Sequence, residues 1–246
     1  MLTLILVSLI FLIAGFIQGL SGFGSALVAM PLLTIFLDAK IAVPLCILNG
    51  LLITSYLSLQ LKGSIEKGKI FPLFIGCLPG IYLGATFLKN MNSSVIKLLL
   101  GVLIICYGIY SMVFRPRPRK IHAVWSYLAG FGTGFIGSAF SAGGPPTIIY
   151  TTLTDWSRDH IKATLSGFFF ISGVITAIFH AVKGLTNTLI IKYFFVTAFF
   201  VLLGTYTGSQ LYNRINRQKY IQVILIVLVL LGVMMSISSL IEFVRY

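Results

Sequence analysis

The chain has 246 residues, of which 58% are hydrophobic and only 9% charged, and its formal net charge is +13. Soluble domains carry about 25% charged residues, so this composition excludes a soluble globular protein and predicts an integral membrane protein. The positive charge does not indicate nucleic-acid binding, because the lysines and arginines lie almost entirely between apolar runs, where membrane orientation requires them.

Eight runs of the sequence contain no Asp, Glu, Lys or Arg, and their lengths predict how each run meets the membrane. A helix that crosses a bilayer needs roughly 20 apolar residues. Six runs fit one crossing each, whereas the first and the fifth, of 37 and 34 residues, are too long for one crossing and short for two. The N-terminal run lacks the basic start of a signal peptide, so we expect it to remain in the protein. The runs are 1–37, 41–61, 70–88, 98–114, 121–154, 163–182, 193–213 and 220–241.

In chain order, the predicted elements form two halves of the same plan, each a broken helical unit followed by three membrane-spanning helices. The first half, 1–113, contains a broken unit at 1–38 and helices at 41–61, 70–89 and 95–114. A basic linker at 114–121 follows, which contains "FRPRPRK" (114–120), and we expect it in the cytoplasm. The second half, 122–246, contains a broken unit at 122–154 and helices at 161–182, 190–212 and 218–244.

Matching residues indicate that the two halves arose by duplication. At an offset of 115, the first broken unit matches the second at Ala14, Gly15, Phe16, Gly19, Gly22 and Pro31. At an offset of 124, the later helices match at Gly80, Tyr82 and Gly84. The predicted fold is therefore an all-α membrane protein built from two homologous halves.

Two topologies remain open for the broken units. If each unit crosses the membrane once, the linker's side holds ten basic residues against eight on the other side. If each unit is a hairpin that returns to its own side, the count becomes twelve against six, with both termini outside. The positive-inside rule favours the hairpins, which would make the halves inverted repeats. Inverted repeats are a common transporter plan, with the substrate site near the midplane where broken helices meet.

The breaks themselves, "QGLSGFGS" and "GSAFSAGGPP", predict an anion site. Irregular backbone at membrane depth persists only when it is buried in protein or lines a cavity. A helix that begins at a break presents free N–H groups and the positive end of its dipole, which attract anions without Lys or Arg. The candidate substrate-binding residues are Gln18, Ser21, Gly22, Phe23, Gly24, Ser25, Asn49, Ser138, Ser141, Gly143, Gly144, Pro145, Pro146 and Thr147.

Other residues have a structural interpretation beside the functional one. The four GxxxG segments, "GFIQG", "GIYLG", "GFGTG" and "GTYTG", are typical of close helix packing. An intramembrane asparagine such as Asn49 more often makes an interhelical hydrogen bond, and Lys162 is typical of a charge at a loop or helix end. His180 is the one histidine well within a single-span run, so it is the candidate for coupling transport to protons.

Several classes of site have no support in the sequence. There is no HExxH, GxSxG or Walker sequence, and all five acidic residues border the apolar runs. A membrane-embedded enzyme needs catalytic acids, bases or metal ligands at membrane depth, and proton-driven carriers often use buried carboxylates. We therefore expect no enzymatic activity, no cofactor and no metal.

The two breaks resemble those of the TauE/SafE family of sulfite and organosulfonate exporters. The resemblance rests on "GFIQGLSGFGSALVAMPLL" and "AGFGTGFIGSAFSAGGPPTIIY" and extends over essentially the whole chain. It implies an ATP-independent plasma-membrane transporter of small sulfur-containing anions such as sulfite, thiosulfate and sulfonates. In this chain the first family motif falls on Gly15, Gly19, Ser21, Gly22, Gly24 and Pro31. The second falls on Gly130, Gly134, Gly137, Gly143, Gly144, Pro145 and Pro146.

Together these observations predict a multi-pass cell-membrane transporter or facilitator of small anions that works by alternating access. Its expected partners are a small anionic substrate and the lipid bilayer, without nucleic acid, and a homo-oligomer is compatible with the sequence. The alternatives are an anion-selective channel and a membrane scaffold subunit that transports nothing.

Overall fold

A computed structural model describes residues 2–114, 122–154, 158–212 and 217–244 of the chain. The described residues form helices and no strand. Seven of the helices are long and apolar enough to cross a membrane. This confirms the prediction of an all-α integral membrane protein. All of the predicted basic linker except Phe114 lies outside the described residues.

The helices follow the order of one long helix, one short helix and three long helices, twice over. In the first half they are α1 (Leu2–Ser21), α2 (Ser25–Leu33), α3 (Ala39–Gln60), α4 (Lys67–Asn90) and α5 (Ser93–Val113). In the second half they are α6 (Val124–Phe140), α7 (Gly144–Thr152), α8 (Arg158–Val182), α9 (Thr188–Leu211) and α10 (Arg217–Val244). That the halves are homologous duplicates stays a prediction.

Glycines bring two pairs of helices into backbone contact. A Cβ atom added to Gly204 of α9 would collide with the carbonyl oxygen of Leu12 in α1, and one added to Gly208 with that of Phe16. The later residue of α9 faces the later residue of α1, so the two helices run parallel. Small residues at this spacing let helix backbones approach closely in lipid, where van der Waals packing drives association.

The second pair, α4 and α6, is packed in the same manner. A Cβ atom on Gly130 would collide with the carbonyl oxygen of Leu73, and one on Gly134 with that of Cys77. These helices also run parallel. The GxxxG segments are therefore confirmed as packing surfaces, with α1 on α9 in one pair and α6 on α4 in the other.

Contacts along α8 place the two breaks toward opposite ends of the bundle. Near the start of α8, Lys162 donates a hydrogen bond to the carbonyl of Gly19 at the end of α1, with an Nζ–O distance of 3.0 Å. Near its end, Nε2 of His180 lies 2.9 Å from the carbonyl oxygen of Ser138 at the end of α6. Lys162 and His180 are eighteen residues apart, about 27 Å at 1.5 Å per residue. The two broken units thus reach into the bundle from opposite ends.

Charged residues tie helix ends together at both ends of the bundle. Glu66, just before α4, accepts a hydrogen bond from His160 of α8 and pairs with Lys69, each at 2.6 Å. The hydrogen bond from His160, followed by that from Lys69, lowers the pKa of Glu66 below its ordinary value. At the opposite end of the bundle, Lys97 of α5 lies 2.8 Å from Glu242 of α10.

Candidate functional site

A cavity of about 110 Å³ lies between the two breaks, with α3 and α8 completing its wall. A single water needs roughly 10–15 Å³ measured in this way, so the cavity has room for a small solvated ion. Its α3 wall extends from Cys46 to Thr54 and its α8 wall from Phe169 to Thr176, which are the middle portions of both helices.

The first break turns the chain between α1 and α2 with two glycines in a left-handed conformation. Gly22 has φ 89° and Gly24 has φ 96°, values that L side chains rarely adopt. The hydroxyl of Ser21 bonds the carbonyl oxygens of Ile17, at 2.6 Å, and Phe23, at 2.5 Å. Ser21 therefore stabilises the turn, and it does not line the cavity.

Hydrogen-bond donors remain free where α2 begins. In the described part of the chain, the backbone N–H groups of Ser25, Ala26 and Leu27 have no hydrogen-bond acceptor, and all three residues line the cavity. The first N–H groups of a helix have no intrahelical partner, and together with the helix dipole they favour negative charge.

Gln18 adds a side-chain amide to these donors. It is only 5% exposed and lines the cavity. Its Oε1 accepts a hydrogen bond from the hydroxyl of Ser25. Its amide nitrogen, which can donate two hydrogen bonds, makes none to the residues that the structure describes. A ligand in the cavity could therefore engage it.

The second break, between α6 and α7, depends on Ser141 and Gly143. Ser141 has φ 60°, and it is the one described residue other than glycine with a positive φ. Its hydroxyl lines the cavity and makes no hydrogen bond within the described ranges. Gly143 packs closely on α6, because an added Cβ would lie 2.6 Å from the carbonyl oxygen of Thr133.

The prolines of the second break lie in the first turn of α7, as second and third residues of the helix. Proline has no N–H and is tolerated in this turn, where N–H groups lack intrahelical acceptors. The free donors therefore come from Ala142, Gly143 and Gly144, which line the cavity and whose N–H groups have no acceptor among the described residues. The prolines set where α7 begins and do not line the cavity.

The described cavity wall contains no Asp, Glu, Lys, Arg or His. Its polar groups are backbone amides, the amide of Gln18, and the hydroxyls of Ser25, Thr54, Thr133, Ser141, Ser172 and Thr176. Such a wall offers partial positive charge and presents no full charge to a ligand, which suits a small anion that has to bind and leave again.

The structure separates the sequence-predicted candidates into two groups. The cavity wall includes Gln18, Phe23, Gly24, Ser25, Ser141, Gly143 and Gly144. The others that were predicted lie outside this wall: Ser21, Gly22, Asn49, Ser138, Pro145, Pro146, Thr147 and His180.

Besides Ser21, four residues of the second group have hydrogen-bond partners within the protein: Asn49, Ser138, Thr147 and His180. Asn49 donates to Thr197 of α9 at 3.0 Å and accepts from it at 3.1 Å, an interhelical pair that is fully buried. Thr147 accepts a hydrogen bond from Thr133 across the second break at 3.3 Å. His180 uses Nε2 toward Ser138, while its buried Nδ1 has no partner among the described residues.

Sequence reasoning named Asn49 of α3 as a candidate but missed its neighbour Gly50, and it missed the contribution of α8 to the wall. Gly50 of α3 and Ser172, Gly173 and Thr176 of α8 line the cavity. A signal was present, because the helical period places Lys162, Ser166, Gly173 and His180 on one face of α8. A polar or small face inside a spanning helix marks a surface turned toward protein or cavity.

Lys162 was assigned by sequence to a loop or helix end, and its place in the structure differs. It lies within α8, only 8% exposed, with its ammonium 3.7 Å from the centre of the Tyr212 ring. α8 begins at Arg158, three residues before the predicted start at 161, so Lys162 lies in its second turn.

Comparison with known proteins gives one finding. The family model described as "Sulfite exporter TauE/SafE" matches residues 7–235, nearly the whole chain. Neither characterised proteins nor solved structures give a match.

Proposed function

Because the chain belongs to the TauE/SafE family, described as sulfite exporters, we propose that it carries small sulfur oxyanions or sulfonates through the cavity between its two breaks. The family indicates a membrane exporter of sulfur-containing compounds. Sulfite, thiosulfate and sulfoacetate are the substrates we propose to test. The site residues are those of the cavity wall, with Gln18, Ser25 and Ser141 as polar contacts.

One observation carries this proposal: two short helices, α2 and α7, begin at the same cavity with unpaired N–H groups and without a carboxylate in the described wall. Two helix N-termini attract an anion and leave a cation unsolvated. The inside-negative potential of a cell favours outward movement of an anion by about 2.3 kcal/mol per charge per 100 mV, so export needs no coupling ion.

Alternating access is the mechanism we propose. The broken units reach the cavity from opposite ends of the bundle, through contacts with Lys162 and His180. Movement of one half against the other would open the cavity first to one side and then to the other. We place the protein in the cell membrane, with the linker 114–121 in the cytoplasm.

The test is the electrical current of purified protein in liposomes after jumps of sulfite, thiosulfate, sulfoacetate, acetate or chloride. A saturable current for the sulfur anions is expected. A current that does not saturate would instead identify a channel. Absence of any anion signal, with tracer flux also absent, would leave the scaffold alternative.

Gly50 offers a variant that fills the cavity with little disturbance of packing. A Cβ on Gly50 would have no neighbour within 4 Å, and Gly50 lines the cavity, so Gly50→Leu should fold and reduce the current at least tenfold. Gly68 in α4 also has open space around it but lies outside the cavity wall, so Gly68→Leu is the matched control. Equal currents in the two variants would contradict a substrate path through this cavity.

His180 remains our candidate for proton coupling. Its unpartnered Nδ1 is available for a proton within the protein. A pH-sensitive dye inside the same liposomes would report protons that move with the anion. Coupling through His180 predicts that His180→Gln retains the anion current and loses the proton signal. A proton signal that persists in this variant would remove His180 from the mechanism.

A further inference from the structure

Lys162 is the one buried lysine or arginine among the residues whose side chains the structure describes. It lies on the α8 face that carries the cavity residue Gly173 and ends at His180. A buried ammonium is costly unless the protein supplies compensating groups, so its position calls for a specific role.

Lys162 contacts the first break through both its ammonium and its aliphatic stem. Nζ donates to the carbonyl of Gly19 at 3.0 Å and lies 3.7 Å from the centre of the Tyr212 ring. The stem of Lys162 fills the space beside Gly22, where an added Cβ would lie 2.8 Å from Cγ. Lys162 thus touches the last turn of α1 and the first residue of the turn that leads to α2.

The C-terminal end of α1 is electrostatically unfavourable for a nearby anion. The last four carbonyl groups of a helix lack intrahelical partners and give that end a partial negative charge. Gly19 is the third residue from the end of α1, and its neighbour Gln18 lines the cavity. The negative end of α1 is therefore part of the same segment that presents the donors of Gln18 and Ser25.

We propose that Lys162 is a positioning residue that determines the anion affinity of the first break from behind the cavity wall. Its ammonium offsets the negative end of α1, and its stem holds the turn so that the N–H groups of α2 border the cavity. Lys162 does not itself line the cavity, so it raises affinity without contacting the substrate. This inference rests on the proposed anion transport.

The experiment compares wild type with Lys162→Met, Lys162→Gln and Lys162→Arg, using sulfite currents from the same liposomes. Lys162→Met removes both charge and hydrogen bond, whereas Lys162→Gln keeps a donor and removes only the charge. We expect both to raise the half-saturating sulfite concentration about tenfold, as follows from the strength of a partly buried charge at a helix end. The maximal current should change less than about threefold, and Lys162→Arg should restore most of the affinity.

Lys183→Met is the matched control. The ammonium of Lys183 also lies over a tyrosine ring, 4.6 Å from the centre of Tyr82, but the residue is only half-buried and follows the end of α8. This variant should keep the wild-type affinity.

The outcomes separate the inference from the function on which it rests. If the half-saturating concentration is unchanged in Lys162→Gln, or if all three variants lower only the maximal current, Lys162 has a merely structural role and the inference is wrong. A Lys162→Met protein that fails to fold leaves the decision to Lys162→Gln and Lys162→Arg. If wild type itself carries no anion, both the proposed function and this inference are overturned.

Discussion

Ser141 combines an unfavourable backbone conformation with a free hydroxyl at the cavity. Its φ of 60° is the left-handed conformation, which costs residues with a Cβ roughly 1–2 kcal/mol relative to the right-handed one. Strain of this kind persists where the surrounding structure requires it and often marks a functional position. Here the residue ends α6 and faces the space that leads to α7.

Ser141→Gly should separate the strain from the function. Glycine adopts this conformation freely, so the free energy of unfolding should rise by about 1 kcal/mol. Anion affinity should fall, because the hydroxyl is lost. Ser141→Ala is the control, since it removes the hydroxyl and keeps the Cβ, and it should weaken the affinity without the gain in stability. Unfolding in mixed detergent micelles and sulfite currents are the two measurements, and wild-type affinity in both variants would exclude the hydroxyl from the site.

At the scale of helices, glycines allow the backbones of α1 and α9, and those of α4 and α6, to come into direct contact. In each pair the Cα of one helix lies against a carbonyl oxygen of the other, so neither backbone has room for a side chain at that point. The long helix of each broken unit, α1 or α6, is held against its neighbour by such a pair, so each break is attached to a closely packed helix.

Gly204→Val should therefore destabilise the protein by about 3 kcal/mol, at the upper end for an overpacked core, because the clash is with the backbone of Leu12. The measurement is the free energy of unfolding in mixed micelles. The matched control is Gly50→Val, where a Cβ meets nothing within 4 Å. Equal losses of stability in the two variants would show that helix propensity, and not the contact with α1, decides the cost.

For the whole molecule, contacts between helix ends determine on which side each terminus lies. Ala39 at the start of α3 bonds Ser93 at the start of α5, and Ser94 bonds Glu242 at the end of α10. The end of α3 lies near the start of α8, through Glu66 and His160. Since α9 follows α8 and runs parallel to α1, the starts of α1 and α3 and the end of α10 lie at one end of the bundle.

This arrangement predicts that both termini face the same side of the membrane. A cysteine at Thr3 and one at position 245 should react with a membrane-impermeant thiol reagent from the same side in intact cells. A cysteine at 117, in the basic linker, should react only after the membrane is opened. Cys106, which is exposed on the bundle surface, is replaced by alanine in all three proteins. If each broken unit crossed the membrane once, both termini would lie on the linker's side and would react, like residue 117, only after the membrane is opened. Labelling of the two termini from opposite sides would mean that only one of the broken units crosses.

Sequence reasoning was most successful where a residue type has a single dominant physical effect, whatever its neighbours in the fold. Composition alone predicted membrane helices, because few charges can be placed in hydrocarbon. The GxxxG segments predicted close packing, because glycine is the residue that allows backbone contact. The breaks bordering the cavity were recognisable because paired glycines and prolines are unfavourable in an uninterrupted helix.

Other assignments depended on partners that lie far away in the chain. Asn49 bonds Thr197, which is 148 residues away, and Lys162 bonds Gly19, which is 143 residues away. The neighbouring sequence does not distinguish an asparagine that bonds another helix from one that lines a cavity. It also does not distinguish a lysine that bonds a distant helix end from one in a loop.

By itself, then, the amino-acid sequence determined the helical membrane class, the two breaks and the family, since these depend on hydrophobicity, backbone freedom and short-range spacing. Only the tertiary structure decided that α3 and α8 complete the cavity wall, that Asn49 and Thr147 have partners within the protein, and that Lys162 lies behind the first break. The physical reason is that the role of a polar side chain in a membrane bundle depends on which distant group it bonds inside the protein, away from lipid. That group is chosen by the packing of all the helices together.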